Sequence, residues 1–464
     1  MGAPRASAPA VVVVGGGLAG ITAALTAADA GAHVVLLERR PRLGGATFSV
    51  RRDGLSIDNG QHVFTGAFGA YRELLRRLGV TELTTLQDRL RVPVLRPGRP
   101  GAVLRRAPLP APFHLAAGLA GYRALTPADR ARAVRAGFAL RRLDPADPRL
   151  DGVAFGDWLA GAGQRPAAVE ALWELLGLPA LNLPVAEASL ALAVKVFRTA
   201  LLDDRRGADL GWARVPLDRL HADPAARALA AAGAQVRTGT VVDAIVPGDG
   251  GLTVSTPGGP LPADAVVLAV PHDSAASLLP DGAVPDPARL LRLGTSPIVD
   301  LHVVYSRRVT RHRVAAGLGT PVQWVFDRTE AAGLREPGDR RARRAPGPQY
   351  LAVSLSAAGA EIGMPIDQLR ERYLPALEAL FPAARAAQVR AFVVTRERAA
   401  TFRQAPGTAA LRPAARTAVP GLYLAGAWTD TGWPATMEGA VRSGLTAARA
   451  ALAALGRPAK EVAA

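Results

Sequence analysis

Gly15-Gly16-Gly17-Leu18-Ala19-Gly20 has the spacing G-x-G-x-x-G and stands directly after an apolar run at 11–14. Each glycine has a physical task in holding a dinucleotide diphosphate. The first allows a tight turn, the second lets the diphosphate reach the backbone, and the third lets helix and strand pack closely. Free N–H groups and the helix dipole at that point attract the anion. Glu38 ends a second apolar run, 18 residues after Gly20. A carboxylate there can accept both ribose hydroxyls, and it disfavours a 2′-phosphate. The set fits the opening of a dinucleotide-binding domain better than a glycine-rich turn with a surface acid.

The elements that must position these residues follow from periodicity. A strand at 11–14, a helix of small residues from 17 to about 30 and a strand at 33–38 form a βαβ unit. Residues 91–150 are rich in Pro and Arg, with a largely apolar stretch at 107–125. Thr126-Pro127-Ala128-Asp129 has the form of a helix start: a capping residue, proline at the first position, an acid three residues after the cap. The arginines between 130 and 142 are spread around that helix. Residues 155–200 read as mostly helical with a break at 181–184. Strands return at 236–245, 252–255 and 265–270, then at 299–305, 322–326 and 350–356, as for a second sheet. A helix at 366–380, a short strand at 422–425 and a helix at 436–452 complete the chain, with a charged loop at 335–348.

At 464 residues the chain exceeds what one hydrophobic core usually holds. The predicted fold class is α/β, a Rossmann-type nucleotide domain with an inserted α+β substrate domain. Its boundaries are expected at 8–90, 215–275 and 396–455 for the nucleotide domain. A mostly helical segment at 91–214 and a sheet with a helix at 276–395 would build the substrate domain.

Composition removes several function classes. The absence of cysteine excludes disulfides, thiolate metal sites, iron–sulfur clusters and cysteine catalysis. No metal site is expected. The net charge of +17 comes almost wholly from arginine, because Lys195 and Lys460 are the only lysines. No recognisable nucleic-acid motif accompanies the charge, so no nucleic-acid partner is expected. Residues 6–28 carry no charge, but glycines interrupt their middle, and the strand–turn–helix pattern accounts for them better than an export signal or a membrane span.

Arg39-Arg40-Pro41-Arg42-Leu43-Gly44-Gly45 follows Glu38 at once. Near the other end stand 421–429, from Gly421 through Gly426-Ala427-Trp428, and 432–444, through Trp433, Thr436-Met437-Glu438 and Gly444. Here the chain resembles the superfamily of amine oxidases and carotenoid desaturases. The resemblance implies FAD as cofactor, with Gly44 and Gly45 close to diphosphate and flavin. It implies a C-terminal segment whose helix start near Thr436 points at the flavin pyrimidine, where reduced flavin carries negative charge. The FAD contacts it assigns are Gly15, Gly17, Leu18, Ala19, Gly20, Glu38, Arg39, Arg42, Gly44, Gly45, Ala46, Val242, Gly426, Ala427, Thr436, Met437 and Glu438. Where the superfamily usually has Arg and Asp, this chain has Ala46 and Ala427. Many amine oxidases hold a water at the flavin with a lysine on a strand; neither lysine here is in such a strand.

Three segments narrow the resemblance: Asp58-Asn59-Gly60-Gln61-His62-Val63, the stretch from Trp173 to Asn182, and Trp428 to Thr436. Together they are similar to the hydroxysqualene dehydroxylases, bacterial enzymes of squalene and hopanoid synthesis. The implied reaction is reductive, with a hydride reaching an allylic carbon as hydroxide leaves. Trp428 and Trp433 are candidates for stabilising an allylic cation through their ring faces, or else are packing aromatics. His62, Asp430 and Glu438 are candidates for the proton donor. The implied partner is a long-chain isoprenoid substrate drawn from an anionic membrane surface, met through 107–125 by a protein that is cytoplasmic and peripheral to the inner membrane. A separate electron donor is possible. The rivals are a phytoene-type carotenoid desaturase and a non-catalytic isoprenoid-binding protein, the latter suggested by Ala46 and Ala427.

Overall fold

The computed structural model describes residues 10–334 and 347–457. The loop expected at 335–348 therefore falls almost wholly outside the described residues, as do the first two residues of the expected nucleotide domain. At the centre is a five-stranded parallel sheet in the order Gln235–Thr238, His33–Glu38, Ala10–Val14, Ala265–Leu268, Leu422–Leu424. Three distant parts of the chain thus share one sheet. Its inner strands are continuous runs of buried β-branched and leucine residues, as a sheet covered on both faces requires. The helix Leu18–Asp29 lies against the C-terminal helix Met437–Ala454. Small residues set their distance: a side chain at Gly444 would collide with the carbonyl oxygen of Ala19.

A seven-stranded sheet forms the second body, in the order Val389–Thr401, Ser296–Tyr305, Gln349–Ser356, Trp324–Asp327, Val314–Gly317, Arg91–Arg96, Arg99–Arg105. It differs from expectation at both edges. Residues 91–105, assigned to a mostly helical segment, form a hairpin that completes this sheet. At the other edge the strand Val389–Thr401, not expected from the sequence, crosses the domain boundary expected at 395. The hairpin is hard to read because Pro93 and Pro100 interrupt it, and proline is tolerated mainly on edge strands. One face of the sheet, including Val299, Leu301, Val353 and Leu355, is covered by the helix Ile366–Leu380. The other face turns toward the nucleotide domain. Across it, register places Thr395, Asp300, Ser354, Trp324, Ala316 and Val94 in one row. That row is polar on its first three strands and apolar on the rest.

Helices between 113 and 202 pack over the apolar end. Thr126 caps Pro127–Arg141, its hydroxyl accepting from the N–H of Asp129 at 3.2 Å. The break near 181–184 is real: Asn182 takes φ 47°, and its side chain bonds the Ser296 carbonyl, the Thr401 hydroxyl and the Ala357 N–H. One residue thereby fastens the helical segment to the sheet.

Candidate active site

The first glycine turn is built as its spacing demands. Gly15 has φ 109°, and a side chain there would strike the backbone of Ala269. A side chain at Gly20 would strike the carbonyl oxygen of Gly15. Gly17 is different. It caps the helix Leu18–Asp29 with ordinary extended backbone, and a Cβ there would meet nothing nearer than the Cα of Gly45 at 3.8 Å. The space in front of Gly17 is therefore kept free for a ligand rather than filled by protein. Leu18 and Ala19 are buried in the first turn of that helix, whose N–H groups open into the same space. Glu38 is buried and accepts the N–H of Gly16 at 2.7 Å and of Arg40 at 2.8 Å. Its oxygens retain lone pairs for a ribose diol. Val242 is buried in the segment after Gln235–Thr238, where the N–H of Thr240 bonds the Glu38 carbonyl.

Gly44 and Gly45 have φ 96° and 56°, and the N–H of Gly44 bonds the carbonyl of Gly16. The two glycine segments are thus hydrogen-bonded neighbours. Arg42 is half-buried, donates to the Gly45 carbonyl at 3.1 Å and lies 3.7 Å over the Phe48 ring. Arg39 and Ala46 are exposed. Asn59 fixes this loop to the second sheet, donating to the Ala46 carbonyl at 2.8 Å and to Glu397 at 3.1 Å.

The C-terminal segment closes the same region. Gly426 follows the strand Leu422–Leu424 with φ 142°, and its N–H bonds the Ser443 hydroxyl. Thr436 caps Met437–Ala454 through the N–H of Gly439 at 3.1 Å. The buried Arg412 ties the loop between them, donating to the carbonyls of Ala427, Thr429 and Trp433. Burial lowers its pKa to about 10, so it stays charged at neutral pH. Ala427 is half-buried, and this carbonyl contact is the one polar task the structure gives it.

A family model described as flavin containing amine oxidoreductase matches residues 18–452. The chain belongs to that family. FAD is its cofactor, and the protein is an FAD-dependent oxidoreductase. The non-catalytic alternative falls with that result. The flavoprotein is 31% identical to the hydroxysqualene dehydroxylase of Rhodopseudomonas palustris (strain ATCC BAA-98 / CGA009), over 96% of this chain and 98% of that one. It is 25% identical to the 15-cis-phytoene desaturase of Solanum lycopersicum, over 96% and 78%. Its fold matches a solved oxidoreductase from Methanosarcina mazei with TM-score 0.72, covering 94% and 99% of the two chains at 18% identity. The free space at Gly17, the lone pairs on Glu38 and the paired glycine loops fit FAD.

Several residues of this flavoenzyme stand otherwise than their types suggested. Asp430 is exposed and accepts only a 3.4 Å bond from the N–H of Gly432, which suits a surface turn and not a proton donor in a dry site. Glu438 is fully buried, but its carboxylate caps another helix, Gly69–Arg77, accepting the N–H groups of Ala70 and Tyr71, with Arg442 as counter-ion. It has no capacity left for acid catalysis; only its backbone at the helix start, with that of Met437, can face the cofactor. Trp433 is buried with Lys195 and Arg442 each 5.0 Å from its ring centre. A ring already facing two cations will not stabilise a third. Trp428 packs beside Gly426 and donates its indole N–H to the Val270 carbonyl at 2.9 Å, a packing role.

His62 is half-buried and lines a small cavity of about 220 Å³, counting its mouth, with Asp58, Gln61, Trp212, Phe326 and Arg328. Burial pushes its pKa down, against the pull of Asp58 and Glu397, so the imidazole is neutral. Arg328 and Asp300 are the residues that sequence reasoning missed here. Arg328 is one arginine among 54, and nothing in its neighbours marks it. Asp300 did carry a signal: a single acid inside an otherwise apolar strand.

A second, larger cavity of about 690 Å³, counting its mouth, lies among the helices at the far edge of the seven-stranded sheet. Leu104, Leu119, Phe138, Trp173, Phe197 and Leu201 are among the residues that line it, and almost no polar surface faces it. Its edge strand stands five strand spacings from Asp300, roughly 24 Å.

Proposed function

We propose that the protein removes the hydroxyl group of hydroxysqualene reductively, giving squalene in a bacterial squalene and hopanoid pathway. The observation that carries this reading is the apolar cavity at one end of a sheet whose other end is polar. A long hydrocarbon with one hydroxyl needs that division. The similarity to a hydroxysqualene dehydroxylase over nearly the whole of both chains supports it.

Reduced FAD, held by the two glycine loops and the C-terminal segment, would supply a hydride. The protein's own part is to bind, orient and exclude water. The leucine- and aromatic-lined cavity takes an arm of the polyisoprene and leaves water no polar partner. The Gly60–His62 stretch, held by the Asp58–Arg328 pair and by Asn59, faces the hydroxyl-bearing carbon.

Anaerobic mixing of photoreduced holoenzyme with hydroxysqualene tests the reading. Flavin reoxidation with one squalene formed per flavin is the expected result. Reduced flavin that stays reduced, with hydroxysqualene recovered intact, overturns it. Dehydrogenation of phytoene by the oxidised holoenzyme would move the function to the desaturases, to which the chain is also similar.

The substrate resides in a bilayer, so the cavity mouth belongs at a membrane surface, with the protein cytoplasmic and peripheral to the inner membrane. No helix among the described residues is long and apolar enough to cross one. Phe113 and Phe138 are 56% and 39% exposed, with ring centres 6.4 Å apart, and Leu109 is 41% exposed. Phe138 lines the cavity, as does the exposed Arg105. The exposed parts of the two rings together amount to about one phenylalanine leaving water, about 1.5–3 kcal/mol, and each glutamate adds repulsion of about 1 kcal/mol from anionic headgroups. Replacing both by Glu is therefore expected to weaken binding to anionic phosphatidylglycerol vesicles by at least about 100-fold. Unchanged co-sedimentation of that double variant would place the membrane contact elsewhere.

A further inference from the structure

Two side chains next to the Gly60–His62 stretch are enclosed and unsatisfied. Asp300 is fully buried, and no group makes a well-formed hydrogen bond to either of its carboxyl oxygens. The Ser354 hydroxyl and the Gln61 backbone N–H are the groups that approach it. The side-chain nitrogen of Gln61 is also enclosed without a partner. Both belong to one structural joint. Asp300 projects from the sheet face that turns to the nucleotide domain, in the row with Thr395 and Ser354. A Cβ built on Gly60 would lie 3.5 Å from its Oδ2 and 3.6 Å from the imidazole of His62. Gln61 and His62 line the small cavity, and Asp300 lies behind them on the sheet rather than on its wall. Buried polar groups normally have partners, and each exception asks for a reason. Asp300 is orphaned behind the Gly60–Gln61 backbone and the Gln61 amide nitrogen is orphaned on the same stretch, so each has hydrogen-bonding capacity for an oxygen that is not part of the chain.

The surroundings decide the protonation state of the acid. Facing it are Asp58 from the strand Leu55–Asp58 and Glu397 from Val389–Thr401, both of which add negative charge. Arg328, in the loop after Trp324–Asp327, is spent on Asp58 and on the carbonyls of Ala213 and Val215. His302, on Asp300's own strand, is bonded to Tyr350 and Thr395, and burial holds its pKa down at about 3. His62 is neutral, and Tyr350 is pushed up by burial and stays un-ionised. No free cation is among these groups. Burial, helped by Asp58 and Glu397, pushes the Asp300 carboxyl up to about 8.

We propose that Asp300 is the general acid of this enzyme, holding as the neutral carboxylic acid the proton that the departing hydroxyl takes, while the Gln61 side-chain amide donates a hydrogen bond to the same oxygen. The inference rests on the dehydroxylation reading. In the step, the carbon–oxygen bond breaks and its electron pair stays on oxygen. The oxygen takes the Asp300 proton and leaves as water. The carbon receives a hydride, and with it two electrons, from reduced FAD. Asp300 is left as carboxylate and regains a proton from solvent after the product leaves.

Asp300→Asn keeps the shape and removes the proton. Two readouts apply, both on FAD-loaded protein. The first is infrared difference spectroscopy across pH, wild type against variant. Wild type should show a protonated-carboxyl C=O band at pH 7 that fades near pH 8 and is missing from the variant. The second is single-turnover squalene formation. The variant should bind FAD as wild type does but react about 100-fold or more slowly, the usual worth of a placed general acid. Wild-type rate should fall as pH rises through 8, while the residual rate of the variant stays flat. A wild type lacking the band at pH 7 overturns the proposal, and so does a variant with wild-type rate. If wild type shows the band but leaves hydroxysqualene untouched, the dehydroxylation reading fails and takes this role with it. That result is separable from an active variant, which would overturn the role of Asp300 alone.

Discussion

Gly17→Val will fold and lose its flavin. The backbone at Gly17 is extended, φ −77° and ψ 179°, which valine adopts readily, and the nearest atom to a Cβ is the Gly45 Cα at 3.8 Å. The protein therefore has room for the branch. The diphosphate does not, because that space is where it must reach the N–H groups of the helix Leu18–Asp29. Hydrogen bonds to a charged group are each worth about 1.5–3 kcal/mol. Losing two of them weakens FAD binding by at least about 100-fold. The Tm of the variant should equal that of flavin-stripped wild type, since only ligand stabilisation is gone. Gly20→Val is the contrasting case. Its side chain would run into the Gly15 carbonyl oxygen, so the turn itself breaks and insoluble protein is expected. Far-ultraviolet circular dichroism and an FAD titration separate the two. A Gly17→Val protein that purifies yellow with wild-type affinity would mean that the diphosphate does not approach there.

The difference between these glycines shows what could be read in the sequence. Local rules placed the first turn, the cap at Thr126, the break at Asn182 and the C-terminal helix start at Thr436, because each depends on neighbours within a few residues. The parallel sheet was legible from its continuous apolar runs. The hairpin at 91–105 was not, because two prolines mask its alternation and its pairing partner, Val314–Gly317, lies more than two hundred residues away. The same holds for side-chain roles. Glu438 looked like an FAD contact or a proton donor. What it caps is Gly69–Arg77, some 370 residues earlier. Trp433 looked like an open aromatic face, and only the fold brings Lys195 and Arg442 onto it. Motifs give the cofactor because the dinucleotide is gripped by local backbone. The seven-stranded sheet brings together strands that meet only in the fold, so Arg328 had to be found there, and the lone acid at Asp300 acquires its surroundings there.

Arg328→Met should cost the protein about 3–5 kcal/mol, the usual penalty for leaving one partner of a buried ion pair without the other. The pair is nearly dry, with side chains 8% and 5% exposed, and Arg328 donates to Asp58 Oδ2 at 2.5 Å and to the Ala213 carbonyl at 2.6 Å. Asp58 is held on its other side by the Ser49 hydroxyl at 2.7 Å and the Leu217 N–H at 3.1 Å. Removing the guanidinium leaves a buried carboxylate without its counter-ion and takes a donor from the Ala213 carbonyl, while methionine fills much of the volume. The loss is thus chiefly electrostatic, and a second substitution can expose it. Asp58→Asn in the Arg328→Met background removes the uncompensated charge while its amide oxygen still accepts from Ser49 and Leu217. The double variant should recover more than half of the lost stability, read as a rise in the urea midpoint. Arg328→Lys should fall between, because one ammonium cannot reach Asp58 and the carbonyls of Ala213 and Val215 in the planar geometry that arginine offers. If Arg328→Met alone leaves the urea midpoint within error of wild type, the pair contributes nothing net. What would then fix the Gly60–His62 stretch over the sheet is Asn59, with its bonds to Ala46 and Glu397. The two arrangements predict opposite results for Asn59→Ala: a small loss if the ion pair holds the joint, and a large one if it does not.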